Sequence, residues 1–291
     1  MLNSSNILVI GGGGYIGSNL CKFLVDAGHN VHSLDNYHTG EMREGNHHNY
    51  VEYINGHSKD IAEHYSDHVV NFDYIFHLGE YARVEQSFQD YDKVMEYNYH
   101  SFPKILDFAR HHDAKLIYSG SSTKFSVGDE EGSAMSPYAY TKAQNTELLK
   151  NYAKWFGLDY TIVYFYNVYG GNEVAEGKYA TVVAKFLNLV KSGNPILPIT
   201  SPGTQLRNFT HIDDIIRGLV KAGLEGSGDG YGIGSDEKHS ILDLANYLGA
   251  GIKFNPKKRG NRMDGELKTS KLKALGWEAK NNLRDYIRKS L

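Results

Sequence analysis

Cysteine is almost missing from this 291-residue chain, with Cys21 the only one. A single thiol excludes an intramolecular disulfide framework and suits a reducing compartment, so a cytoplasmic location is expected. Long apolar runs are absent too. No stretch reaches the roughly 18 residues of a membrane-spanning helix. The polar start Met1-Leu2-Asn3-Ser4-Ser5-Asn6 precedes an apolar run too short for a signal peptide. Positive charge is neither in excess nor clustered: the formal net charge is −3, with no block of Lys and Arg. That removes the usual signature of a nucleic-acid partner. There is no internal repeat and no low-complexity segment. What remains is a chain long enough to bury a substantial core. It also carries 22 tyrosines, which raises the question of whether any one of them is chemically special.

The most informative stretch is Ile7-Leu8-Val9-Ile10 followed by Gly11-Gly12-Gly13-Gly14-Tyr15-Ile16-Gly17-Ser18. Four apolar residues read as a buried strand. The glycines turn the chain sharply, and Ile16, Leu20, Phe23, Leu24 and Ala27 then recur at helical spacing. A glycine-rich turn opening into a helix brings backbone N–H groups and a partial positive charge to one point, which cradles a pyrophosphate. A second apolar run, Val31-His32-Ser33-Leu34, ends in Asp35, eighteen residues after Gly17. A dinucleotide fold places its ribose-binding acid at this distance.

Further along, Tyr50–Ile54, Tyr74–Leu78, Lys115–Tyr118 and Tyr160–Phe165 read as strands. Helices are expected around Ile105, Leu106 and Ala109, and from about Tyr138 to Phe156. This alternation predicts an α/β protein, a doubly wound Rossmann parallel sheet with a smaller C-terminal α/β substrate-binding lobe. Residues 1–166 would form the dinucleotide domain, completed by about 208–234, and residues 167–291 most of the second lobe. In that lobe Tyr179 to Val190 looks helical, and Gly193-Asn194-Pro195 and Ser201-Pro202-Gly203 break the chain.

A second constellation follows the Lys115–Tyr118 strand: Ser119-Gly120-Ser121-Ser122-Thr123, then Ser136-Pro137-Tyr138-Ala139-Tyr140-Thr141-Lys142. Pro137 suits the first position of a helix, which puts Tyr138 and Lys142 at i and i+4 on one face. A phenol titrates near 10, so a base poised near 7 needs about three units, or about 4 kcal/mol. An ammonium about 5 Å away supplies about 3 kcal/mol at an effective dielectric near 20, and the positive charge of an oxidised nicotinamide supplies the remainder. Ser121 would share the proton of a substrate hydroxyl. No metal and no covalent nucleophile is needed.

With these residues in place, the sequence resembles an extended short-chain dehydrogenase/reductase of the nucleotide-sugar epimerase/dehydratase group, closest to the UDP-hexose 4-epimerases. The resemblance runs from about Asn6 to Tyr286. Gly11, Gly14 and Gly17 match its G-x-x-G-x-x-G, with Tyr15-Ile16 between. Asp35-Asn36 matches the NAD-type ribose site, without an adjacent arginine to suggest NADP. Phe76-His77-Leu78-Gly79-Glu80 resembles F-H-x-A-A, and Asn98 the asparagine that supports the nicotinamide side. Phe165-Tyr166-Asn167-Val168-Tyr169-Gly170 resembles F-F-N-V-Y-G, Gly203 to Phe209 resembles G-x-Q-x-R-D-F, Arg259-Gly260 resembles R-P-G, and Leu275-Gly276-Trp277 matches L-G-W.

The resemblance implies catalysis by Ser121, Tyr138 and Lys142. It implies NAD contacts from Gly11, Gly14, Tyr15, Ile16, Gly17, Asp35, Asn36, Leu78, Gly79, Asn98, Ser119, Tyr138, Lys142 and Tyr166. Ser121, Tyr138, Asn167, Arg207 and Arg259 would hold the nucleotide sugar, the two guanidiniums facing its diphosphate. A homodimer formed through two helices per subunit is implied as well.

Where related 4,6-dehydratases carry Asp-Glu after the catalytic Thr, this chain has Ser122-Thr123, so the acid–base pair for water loss is missing. Tyr164 replaces an arginine, His57 an Asp that approaches the adenine, and Gly232 an asparagine, while the Gly128–Ala134 loop is brief. His47-His48 and His111-His112 read as surface pairs rather than metal ligands. Asp213-Asp214 reads as a helix start, Lys257-Lys258 as a solvated turn, and Trp277 as a packing anchor. Three functions follow: NAD-dependent C4 epimerisation of a nucleotide sugar, net oxidation or decarboxylation of one, or dinucleotide binding without catalysis.

Overall fold

The computed structural model describes residues 4–39, 46–66, 70–122, 136–256 and 265–291. Thr123, the Gly128–Ala134 loop, Lys257-Lys258 and Arg259 lie outside the described residues.

The central sheet is built from β1 (Asn6–Ile10), β2 (Asn30–Asp35), β3 (Val51–Asn55), β4 (Tyr74–His77), β5 (Lys115–Gly120) and β6 (Tyr160–Phe165). Three short strands follow β7 (Val168–Tyr169) and β8 (Ile196–Thr200) in part: β9 (Leu206–Arg207), β10 (Thr210–His211) and, after β11 (Gly228–Ile233), β12 (His239–Ser240); β13 (Gly251–Asn255) is last. Seven strands form one sheet in the order β11-β6-β5-β4-β1-β2-β3, every neighbour parallel. This Rossmann-like order reverses between β1 and β4, where doubly wound sheets bind ligands at the carboxyl ends of their strands.

Because strand side chains alternate, β1 splits its apolar residues between two cores. Leu8 and Ile10 join Ile75, Leu116 and Ile162 on one face. Ile7 and Val9 join Val31, Ile117 and Val163 on the other. A sheet covered on both sides needs runs that are apolar throughout, which is why its strands were visible in the sequence.

The helices are α1 (Tyr15–Asp26), α2 (Ile61–His64), α3 (Tyr91–Val94), α4 (Phe102–His111), α5 (Pro137–Phe156), α6 (Val182–Lys191), α7 (Ile212–Glu225), α8 (Ile241–Tyr247), α9 (Ser270–Ala274) and α10 (Leu283–Ser290). Ile61, the α4 residues Ile105 and Leu106, and Leu149 of α5 cover the first face. Leu20 and Leu24 of α1, and Ile215 and Leu219 of α7, cover the second. Helix α5 is bounded as its sequence suggests. The Ser136 hydroxyl caps it by accepting Ala139 N–H (3.1 Å), Pro137 sits in its first turn, and Gly157 ends it at φ +76°.

A third core unites α6, β8, α8 and α10 through Phe186, Leu197, Leu244 and Ile287, with Phe209 beside them. Trp277 is buried against α7 and donates from its indole to Asp214 O (3.1 Å), a packing role. Asp213 and Asp214 occupy the first turn of α7, where carboxylates complement the helix dipole.

Helix α6 begins at Val182, later than the apolar spacing from Tyr179 suggests. Thr181 is extended, its N–H bonds Val174 O (2.9 Å) and its hydroxyl bonds Glu173 (2.6 Å). This closes a loop that competes with an earlier helical turn.

Candidate active site

Gly11 leaves β1 at φ +89°, and a Cβ there would lie 2.6 Å from Gly79 N. Glycine therefore lets the loop press against the end of β4. At Gly17 a Cβ would lie 2.0 Å from Gly11 O, so the first turn of α1 also sits directly on the loop. Helix α1 has no side-chain N-cap. Its start, with Gly11, Gly14, Tyr15, Ile16 and Gly17, opens on a cavity of about 400 Å³. Uncapped N–H groups at the positive end of a helix suit a diphosphate.

Asp35, at the end of β2, accepts Gly13 N–H through Oδ2 (2.9 Å) and Tyr37 N–H through Oδ1 (2.8 Å). Burial raises its pKa, against the pull of those N–H donors. With Asn36, His57, Leu78 and Gly79 it lines a second cavity of about 90 Å³, which shares Gly11 and Gly14 with the first. His57 accepts Lys59 N–H at Nδ1 (3.0 Å). Its buried Nε2 has no hydrogen-bond partner among the described residues. A glycine cradle that a Cβ would fill and an acid at a strand end together fit a dinucleotide with its adenosine half in the smaller cavity.

The larger cavity continues past Leu78 to Ser119, Tyr138, Lys142, Phe165 and Asn167. Tyr138 and Lys142 share the face of α5 turned toward it. Lys142 is buried at 4 % exposure and donates to Ser119 O (2.5 Å), while Ser119 Oγ donates to His77 O (2.9 Å). Ser121 is buried just beyond β5. Asn98 lies in the wider π-turn Met95–His100 and is wholly buried. It accepts Tyr81 N–H (2.7 Å) and donates to Thr141 Oγ1 (3.1 Å), so it braces the cavity wall from behind.

Two assignments shift. Tyr166 is 2 % exposed and its hydroxyl donates to Glu266 O (2.9 Å). Phe165, the last residue of β6, and Asn167, at φ +33°, line the cavity, while Tyr166 between them turns away to anchor the C-terminal segment. Arg207 sits on β9, with its Nη1 donating to Leu206 O (2.7 Å), and its neighbour Phe209 rather than Arg207 lines the cavity.

Three cavity residues escape the sequence reading. Arg83 donates to Tyr179 O (2.7 Å) and to Ala82 O (3.1 Å), and its guanidinium lies 5.8 Å from the Tyr179 ring centre. Burial lowers its pKa while Tyr138, Tyr179 and Tyr81 act to raise it, and Arg83 lines the same cavity as Tyr138. Tyr179 closes the same side. The third is Glu80, ion-paired with Lys142. Its carboxylate stands where the F-H-x-A-A motif has alanine, a signal visible in the sequence.

A parallel sheet with a glycine loop, a terminal acid and a tyrosine–lysine pair on one continuous cavity defines an enzyme class that works on a bound dinucleotide. More narrowly, the chain belongs to the NAD dependent epimerase/dehydratase family, whose model matches residues 7–234. NAD is its cofactor. The chain is 30 % identical to a UDP-N-acetyl-alpha-D-glucosaminuronate decarboxylase of Bacillus cytotoxicus, over 82 % of this chain and 77 % of that protein. It is 28 % identical to a putative UDP-glucose 4-epimerase of Methanocaldococcus jannaschii, over 97 % and 96 %. Its fold matches the crystal structure of Thermotoga maritima UDP-glucose 4-epimerase with UDP-glucose at a TM-score of 0.89 and 25 % identity, covering 98 % and 97 % of the two chains.

Proposed function

We propose that the protein interconverts nucleotide sugars at C4, with a UDP-hexose as substrate. The observation that carries this reading is the single cavity joining the α1 N-terminus to Tyr138, Lys142 and Asn167. A hydroxyl held against Tyr138 there faces the same space as the nicotinamide end of a dinucleotide seated on the loop. Bound NAD supplies a hydride acceptor that returns the hydride. The chain's residues do the rest. Tyr138 takes the proton from the 4-hydroxyl and later gives it back, Ser121 shares that proton, and Lys142 supports the phenolate. Asn167, which lines the cavity, and Arg259 hold the diphosphate while the 4-keto sugar turns its other face. The similarity to the putative UDP-glucose 4-epimerase spans nearly the whole chain. The test incubates the purified protein and NAD with UDP-glucose, UDP-galactose and their N-acetyl forms. Interconversion of at least one pair is expected, and none with any pair refutes the reading.

Arg83 favours a second reading. A guanidinium in the same cavity as Tyr138 suits a sugar that carries a carboxylate, and one relative is named as a decarboxylase of such a sugar. On this reading UDP-hexuronates are turned over in preference to UDP-hexoses, and R83L abolishes the preference. Carbon dioxide release separates decarboxylation from epimerisation.

A further inference from the structure

Lys142 shares its charge with a partner that the reaction does not require. The Glu80 carboxylate contacts its ammonium, and the two side chains are 1 % and 4 % exposed. The rest of the carboxylate is fully engaged. Asn145 donates to Oε1 (2.8 Å), Tyr118 donates to Oε2 (3.1 Å), and His77 Nε2 lies 3.4 Å from Oε1. Burial pushes the Glu80 carboxyl up, but Lys142 and His77 more than reverse this and hold it at about 2. Glu80 is therefore an anion at neutral pH, fixed from β4, β5 and α5 at once.

We propose that Glu80 is a positioning residue for the Tyr138–Lys142 pair, seating the ammonium against Ser119 O and offsetting its field at Tyr138, so that Glu80 sets the pH at which Tyr138 exchanges its proton. This rests on the reading of Tyr138 as the acid–base group. The groups that face the two residues are known. Around Glu80 they are Lys142, His77, Tyr118 and Asn145, and near Tyr138 they are Arg83 and Tyr118. Of these, Glu80 is the anion. A unit charge 7–9 Å from a titrating phenol moves its pKa by about one to two units at an effective dielectric near 20. An anion stabilises the neutral phenol, so its removal favours the phenolate.

Glu80→Gln isolates that charge. The amide keeps one oxygen, which can accept from Lys142 at the Oε2 position, while its NH2 group takes the Oε1 position and gives up the bond from Asn145. Lys142 also keeps Ser119 O at 2.5 Å, Ser119 Oγ at 3.5 Å and the Tyr118 ring at 5.0 Å. These contacts still seat the ammonium, while its field on Tyr138 is no longer opposed.

The experiment is a pH titration of protein labelled with carbon-13 at tyrosine Cζ, with the Tyr138 resonance assigned by its loss in Tyr138→Phe. The midpoint in Glu80→Gln should fall by about one pH unit relative to the unaltered protein. Glu80→Asp, which keeps the charge, should leave it within about 0.3 unit. A midpoint that stays or rises in Glu80→Gln overturns the proposal, as does an equal fall in Glu80→Asp. A residue that only packs would lower stability without moving the midpoint. Circular dichroism establishes that each variant is folded, and Glu80→Met, which also removes the charge and should lower the midpoint in the same direction, carries the test if Glu80→Gln does not fold. The titration needs no substrate, so it separates two failures. A Tyr138 signal that moves as expected in a protein that converts no nucleotide sugar upholds Glu80 and refutes the proposed reaction. Where turnover is present, the acid limb of kcat should move with the resonance while KM changes less than about twofold.

Discussion

Replacing Lys142 by methionine tests the buried pair through folding energy rather than catalysis. The variant keeps the side chain's length and apolar stem but leaves the Glu80 carboxylate, 1 % exposed, without its cation. In the intact protein Glu80 is held at about 2 against an ordinary value of 4.5. A depression of that size corresponds to about 3 kcal/mol of stability, in line with the 3–5 kcal/mol for breaking a buried pair. The sign follows from linkage. With its folded pKa depressed, Glu80 contributes stability that is present above about 4.5 and lost as pH falls toward about 2. In Lys142→Met, burial is no longer opposed by the ammonium, so the folded pKa rises above the ordinary value and stability is gained as pH falls. Urea unfolding should therefore show a loss of about 3 kcal/mol at neutral pH, narrowing by at least about 1 kcal/mol near pH 5. In a double-mutant cycle with Glu80→Gln, the pair should be less destabilised than the sum of the singles by about 2 kcal/mol. A loss below about 1 kcal/mol, or one that is the same at both pH values, would refute the pairing.

The glycine loop and the C-terminal anchor give further expectations. Gly17→Ala places a methyl 2.0 Å from Gly11 O, so NAD released from the denatured variant should drop at least about tenfold while far-ultraviolet circular dichroism is unchanged. Undiminished NAD would contradict the cradle. Asp214, wholly buried, accepts Lys280 N–H (3.1 Å) and Asn281 N–H (2.9 Å) and pairs with Arg217. Asp214→Ala should cost about 3 kcal/mol in urea unfolding, and a cost under about 1 kcal/mol would show that the C-terminal segment is held by other contacts. Tyr138→Phe should lower kcat by about 10²–10⁴-fold with NAD retained, and turnover equal to that of the unaltered protein would remove the phenol from the chemistry.

Much of the sheet was legible because its physics is local. Strands buried on both faces are continuously apolar, so Ile7–Ile10 and Tyr160–Phe165 stand out, and the turn between β1 and α1 requires glycines that nothing else explains. Tyr138 and Lys142 could be paired from sequence because helical spacing alone puts i and i+4 on one face. What depended on tertiary contact was not legible. Tyr166 lies one position out of phase with the cavity, and its inward neighbours are settled by how β6 meets the C-terminal segment. The late start of α6 depends on the Glu173–Thr181 contact across its loop. Arg83 and Tyr179 are far apart in the chain and meet only where the loop after β4 lies against the segment before α6. Glu80 was readable as an odd residue in a motif, but its partner was not: the ion pair joins residues 80 and 142 from different elements.

The most direct test of the central claim follows the hydrogen at C4. UDP-glucose carrying deuterium at C4 is turned over by the protein with NAD in ordinary water, and the product is analysed by mass and by proton resonance. The account predicts that the label stays at C4 of the epimerised sugar, because the hydride leaves and returns within one active site. Product that has lost its C4 deuterium to solvent hydrogen would contradict it.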